Sequence, residues 1–198
     1  MRKFSLLFAL VLFMVSCGSD SQSYQIVFHG FPDEGGSEIF VMNADGTNVR
    51  QLTSTEYNNF WASWSPDGTQ IAFISNQDEG GSEIFVMNAD GTNVRQLTST
   101  EYDNFWASWS PDGTQIAFTS DRGRGPEIYL MDADGTNVRQ LTKTNFGSSL
   151  PIWSPDGTQI VFSIDQGASG RSNIFIMNAD GSGAYSTGQQ GVVGDWKN

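Results

Sequence analysis

Few residues in this chain have the types and spacing that covalent chemistry needs. His29 is its only histidine and Cys17 its only cysteine. A Cys-His nucleophile pair is therefore implausible, and a Ser-His-Asp triad has one base to draw on. No Gly-x-Ser-x-Gly elbow and no phosphate-cradling Walker loop occurs. Carboxylates are plentiful, 22 Asp and Glu against 10 Lys and Arg. Pairs such as Asp33 with Glu34 and Asp78 with Glu79 hold the groups that hydrolyse glycosides. Yet an acid and a base need surroundings that push their pKa values apart, and these pairs sit in near-identical sequence. The Asp-Ala-Asp-Gly-Thr-Asn run at 132–137 has the look of a calcium loop, but glycine falls fourth rather than sixth and Lys143 occupies the twelfth position. That place needs a bidentate glutamate. A turn with a side-chain hydrogen bond accounts for the aspartates. His29 reads as a loop or strand-end residue, and no catalytic residue, cofactor or metal is expected.

Partners are bounded by charge. The formal net charge is −12, and the scattered arginines make no basic footprint for displacing counterions, so no nucleic-acid partner is expected. Charged residues are only 16% of the chain, whereas aromatics reach 13% and glycines number 22. Such a mixture suits turn-rich β-structure.

At the N-terminus Arg2 and Lys3 precede an apolar run from Leu6 to Val15, too short for a bilayer core and therefore read as a signal peptide over residues 1–16. Met14-Val15-Ser16-Cys17 resembles the bacterial lipobox. That resemblance implies cleavage before Cys17 and its lipidation, which anchors the chain to a membrane without spanning it. Loss of Arg2 and Lys3 takes the net charge to −14. Residues 17–23 suit a flexible tether, and Gly18 after the cysteine is compatible with passage to an outer membrane.

The elements that would carry any site come from a repeat. Trp64, Trp109, Trp153 and Trp196 are 45, 44 and 43 residues apart, and segments 33–73 and 78–118 differ only at Asn58 and Asp103. A period of this length built of short strands indicates propeller blades. Within a unit, strand a (107–109) is closed by Ser110-Pro111-Asp112-Gly113, and strand b covers 115–118. Strand c (84–87) is apolar at every position, as in a strand covered on both faces. The Asp90-Gly91 pair then marks a hairpin into a rim strand d at 94–97. The chain opens at a strand b (24–28), supplies c and d, then three full a-b-c-d sets, and ends on an a-like segment at 192–196. The predicted fold is all-β: a propeller spanning 24–198, four blades of four antiparallel strands, the first blade closed by the C-terminal strand.

The strings Trp-Ser-Pro-Asp-Gly-Thr at 64–69, 109–114 and 153–158, Ser120-Asp121-Arg122 before Glu127-Ile128-Tyr129, and Met-Asn/Asp-Ala-Asp-Gly resemble the TolB-like, WD-repeat-like β-propeller family. The resemblance covers residues 24–198. It implies protein contacts in the periplasm, and it extends to envelope proteins and to the propellers of serine peptidases. Propellers of that family commonly have six or more blades, and TolB carries an additional α/β domain, so a part-ring that associates with another copy is an alternative.

Trp64, Trp109 and Trp153, one per repeat, read as core. Burying such a ring removes about 150–250 Å² from water, at most about 4–6 kcal/mol. Trp61 and Trp106, at the start of strand a near the axis, read equally as packing or as the border of a channel mouth. In a meander the tight a-b and c-d turns share one end, and the longer loops gather at the other, where recognition resides. Glu56, Tyr57, Glu101, Tyr102, Arg122 and Phe146 fall there. Together with Trp61 and Trp106 they form the expected partner-binding set, tyrosine and tryptophan being enriched at interface hot spots. The expected function is an exported, lipid-anchored, non-enzymatic interaction scaffold at the bacterial envelope. A carbohydrate-active hydrolase or lyase at the axial mouth is the alternative.

Overall fold

A computed structural model describes residues 24–32, 35–76, 81–144, 146–165 and 171–197. The signal peptide, Cys17, the tether, Asp33, Glu34, Asp78, Glu79 and Asn145 lie outside these. Four antiparallel sheets follow one another. The first holds β1 (Gln25–Gly30), β2 (Glu38–Asn43) and β3 (Arg50–Gln51). The second runs β4 (Asn58–Trp64), β5 (Gln70–Asn76), β6 (Ser82–Asn88) and β7 (Arg95–Gln96). The third runs β8 (Asn104–Trp109), β9 (Gln115–Ser120), β10 (Glu127–Asp132) and β11 (Arg139–Gln140). The fourth runs β12 (Ser148–Trp153), β13 (Gln159–Asp165), β14 (Ser172–Asn178) and β15 (Tyr185–Gln190). Each sheet is one propeller blade, as predicted.

Alternation along each strand explains why the inner strands are apolar throughout. In β5, Ile71 and Phe73 pack back onto Val27, Ile39 and Val41 of the first blade. Ala72 and Ile74 pack forward onto Trp109, Ile116 and Phe118 of the third. Ala117, Ile128 and Leu130 repeat the forward contact against Trp153, Ile160 and Phe162 of the fourth. Successive residues serve different interfaces, so neither parity can be polar.

Polar clasps set the spacing of the blades. Glu38, 1% exposed, accepts hydrogen bonds from the Thr53 hydroxyl, the Thr55 N–H (2.6 Å) and, in the next blade, the Asn59 amide (2.9 Å). Glu83 takes the same part with Thr98, Thr100 and Asn104, whereas Glu127 holds Thr142 and Thr144, and Thr144 Oγ1 in turn lies 3.4 Å from Ser148 Oγ of the fourth blade. A carboxylate so buried is retained only because its oxygens are occupied. Below them, the Asp-Gly turns of the second, third and fourth blades lie under the preceding blade. A Cβ on Gly91 would come within 3.0 Å of the Leu52 carbonyl oxygen, and one on Gly135 within 3.0 Å of that of Leu97.

The expected closure of the ring is corrected. Blades stack first on second, second on third and third on fourth, but the first blade has three strands, and residues 192–196 form no strand. Instead the Val193 N–H donates to Ser163 Oγ (3.1 Å), holding the tail on the fourth blade. The physical reason is visible in the fourth blade: Asn173 stands where the others carry the clasping glutamate, and β15 continues to Gln190, opposite Asn173, using up the connection that elsewhere leads to the next blade. The rim strands are also shorter than predicted, two residues in the first three blades, which leaves little unpaired edge.

Candidate functional site

Strands β4, β8 and β12 run side by side along the inner edge of the arc. Each has its pairing interrupted by a bulge: between Phe60 and Ser63, between Phe105 and Ser108, and between Ser149 and Ile152. The first bulge residue is Trp61, Trp106 or Leu150, with φ of 50°, 55° and 58°. Left-handed backbone costs a non-glycine residue about 1–2 kcal/mol, and glycine would carry none of that strain. Three successive blades keep a large apolar side chain there. A bulge re-aims the side chain out of the sheet's alternation, and here it delivers two indoles to one place. The Trp61 and Trp106 rings lie 5.6 Å apart between centroids at 36°. Phe60 and Phe105 brace them edge-on, at 4.9 and 4.6 Å. Trp61 is 44% exposed and Trp106 half-buried, so the pair forms a ledge with one face in solvent. Both indoles thus pack on each other and on the adjacent phenylalanines at the inner edge, with Trp61 the more exposed.

The core tryptophans behave differently. Trp109 and Trp153 are each 7% exposed, and Trp153 Nε1 donates to the Ser108 carbonyl (3.2 Å). Trp64 is only half-buried, because no innermost strand precedes it in the first blade.

The remaining predicted residues lie on the connections at one end of the blades. Glu56 and Glu101 are exposed, Tyr57 is half-buried, and Tyr102 and Phe146 expose 47% and 60% of their surface. The structure juxtaposes Trp61 and Trp106, whereas Tyr57, Tyr102 and Phe146 make no ring contact among the described residues. Arg122 is engaged within its own blade. Its guanidinium lies 4.6 Å over the Tyr129 ring, Nε donates to Ser120 Oγ (2.9 Å), and a terminal nitrogen donates to Asn104 Oδ1 (3.0 Å). It therefore steadies the asparagine that Glu83 grips. Sequence reading missed Phe31, the most exposed aromatic of this end, and Leu150. Counting back three residues from Trp153, as Trp61 stands from Trp64, finds Leu150; no glycine marks the bulge itself.

The opposite end is built of turns. Asp67 accepts from the Ser65 hydroxyl (2.6 Å) and from the Thr69 N–H and hydroxyl, and these bonds hold its carboxyl below the usual 3.8. Asp112 and Asp156 repeat the arrangement, with Ser110 and Ser154 as the first cause. Asp134, in the 132–137 run expected to be a hairpin turn, accepts likewise from the Thr136 N–H (2.9 Å) and hydroxyl (2.6 Å). Burial lowers the pKa of His29 below its ordinary 6.5. No group of three or more metal-ligating side chains occurs among the described residues, and none of their helices is long and apolar enough to cross a membrane.

Known proteins bear on this surface through the fold. The model of the TolB β-propeller domain family matches residues 23–104, 76–149 and 102–194. A structure assigned as a TolB from Agrobacterium tumefaciens superposes with a TM-score of 0.74 at 26% identity, over 82% of this chain and 60% of that one. TolB from Acinetobacter baumannii does so with 0.69 at 22%, over 82% and 41%. An oligogalacturonate lyase from Vibrio parahaemolyticus gives 0.64 at 16%, over 81% and 48%. The chain thus spans less than two thirds of the length of each of these relatives. No curated protein matches it.

Proposed function

The chain belongs to the TolB β-propeller domain family, and from that premise we propose that it acts as a protein-interaction scaffold at the bacterial cell envelope, without a reaction of its own. In this reading residues 1–16 are an export signal, Cys17 carries the lipid anchor, 17–23 are the tether and 24–198 the propeller. It works from the periplasm, probing for an envelope protein with the blades while the acyl chains hold it to the membrane. The observation that carries the reading is the Trp61–Trp106 ledge: two indoles kept on strained backbone with a face in solvent. Strain of this kind clusters at functional sites, and tryptophan is among the residues enriched at interface hot spots. Exposed Glu56 and Glu101 on the neighbouring connections favour a partner with basic residues at its rim.

Crosslinking in membranes followed by pull-down tests this. A reproducible protein partner, recovered with the natural chain and lost with Trp61→Gly/Trp106→Gly, is the expected result. Recovery of no partner, or equal recovery with both chains, refutes it. Incorporation of labelled fatty acid that disappears in Cys17→Ser tests the anchor separately.

A further inference from the structure

Among the described residues, β1 is the one strand b with no innermost strand beside it. Its surroundings are those of a strand position left open. A Cβ on Gly68, in the turn after β4, would meet nothing within 4 Å, whereas Gly113 and Gly157 face Pro66 and Pro111 of the preceding blade at 3.7 and 3.6 Å. Trp64 is half-buried where Trp109 and Trp153 are covered. An unpaired inner edge offers a row of backbone donors and acceptors to any extended segment.

The same chain carries a segment that fits. Trp196 follows Trp153 by 43 residues, in phase with the other strand-a tryptophans, and residues 192–196 form no strand of their own. The tail is held at the fourth blade, by Gly191 N–H to the Ser172 carbonyl (2.8 Å) and Val193 N–H to Ser163 Oγ, and among the described residues the fourth and first blades share no core. Reaching β1 within one chain would need blades that do not meet.

We infer that residues 192–196 of one copy add to β1 of a second copy as its missing innermost strand. The established a-b register fixes how. Trp64 pairs with Ile71, Trp109 with Ile116 and Trp153 with Ile160, so Trp196 lies opposite Ile26, and Lys197 opposite Gln25 as Ser65 lies opposite Gln70. Reciprocal exchange closes two copies into a pair. The joint lacks the polar clasp of the internal interfaces: the fourth blade carries Asn173, Thr187 and Gly188 where the third carries Glu127, Leu141 and Thr142. Association is therefore reversible and concentration-dependent.

Differently tagged full-length chains, one with Gln25→Cys and one with Lys197→Cys, test this when co-expressed and oxidised, with untagged natural chains showing any band due to Cys17. Both replaced residues are exposed, so folding is undisturbed. The expected result is a disulfide joining the two tags, reduced roughly tenfold or more by adding Trp196→Ala to the second chain, as loss of an interface anchor does. Absence of the mixed disulfide overturns the inference. So does a Gln25→Cys/Lys197→Cys chain that crosslinks within itself at monomer mass, or a mixed disulfide indifferent to Trp196→Ala.

Discussion

Replacing Glu83 by glutamine tests whether the blades are held by their buried carboxylates or only by the apolar faces between them. Glu83 is 4% exposed and receives the Thr98 hydroxyl, the Thr100 N–H and the Asn104 amide. A glutamine keeps the shape but offers one acceptor oxygen and an NH₂ group, so at least one incoming donor meets another donor. The Thr98 hydroxyl can turn away, and Asn104 retains Thr100 Oγ1 and the Tyr102 carbonyl. The Thr100 N–H has no second partner among these groups, so the glutamine oxygen stays on it and the new NH₂ is left facing the Asn104 amide. One charge-assisted hydrogen bond lost is about 1.5–3 kcal/mol, and one partly buried donor left unpaired about 1–3 kcal/mol at the low end of its range, giving about 2–4 kcal/mol together. For a domain of this length each kcal/mol moves the melting temperature by about 2–4 °C, so Glu83→Gln is expected to melt about 5–15 °C lower by circular dichroism. The partner variant Asn173→Glu sharpens the test, since it puts the carboxylate where Gly188 replaces the threonine hydroxyl of the other blades and no blade of the same chain follows, and it should give no stabilisation. A Glu83→Gln chain melting within 2 °C of the natural one would refute the clasp as an energetic element.

At the bulge, Trp61→Gly should be more stable than Trp61→Ala by about 1–2 kcal/mol in urea denaturation, because only glycine relaxes the left-handed backbone; equal stabilities would remove the strain argument. Gly135→Ala and Gly46→Ala incur similar φ penalties, at 90° and 81°, but only the former drives a Cβ towards the Leu97 carbonyl. Gly135→Ala should therefore cost about 1–3 kcal/mol more, and equal denaturation midpoints would contradict the stacking of turn on blade. Ser110→Ala removes the first hydrogen bond that depresses Asp112, so the carboxyl, followed by NMR, should titrate closer to 3.8. Because the folded pKa values of Asp67, Asp112 and Asp156 lie below those of the unfolded chain, their contribution is complete above about pH 4–5 and is lost as pH falls through the folded values. Stability that declined already between pH 7 and 6 would assign the pH dependence elsewhere.

Much of the architecture was legible because it repeats. Four tryptophans in phase and a fully apolar strand c announce blades, and the Ser-Pro-Asp-Gly and Ala-Asp-Gly turns fall where their proline and glycine dictate. Closure was not legible, because it depends on contacts between blades. Asn173 in place of glutamate and Thr187 in place of leucine are the signals that the fourth blade grips nothing further, and each is a single polar residue easily passed over in a divergent repeat. The same limit hid the bulges. Trp61 and Trp106 were visible as residues, but nothing local to Phe-Trp-Ala-Ser signals a left-handed turn inside a strand, and only the three-dimensional pairing shows that it swings two indoles together. Arg122 stood out as a loop cation, and its commitment to Tyr129 and Asn104 spans a sheet and so could not be read along the chain.

Glu38 finds its asparagine in Asn59, but the 41 residues around Asn104 differ from those around Asn59 at one position. To the first blade, strands a and b of its rightful neighbour and of the blade after it are, that position apart, the same residues through Phe73 and Phe118, although their c strands differ at Phe85 and Tyr129. A chain refolding all at once from denaturant is therefore expected to zip some molecules with the second blade looped out, a misassembled population that disappears when blades emerge one by one during synthesis, each docked before its duplicate arrives. Single-molecule extension would count the error directly, as trajectories short of one repeat. Order of arrival, as much as affinity, then decides which of two near-identical suitors the first blade accepts.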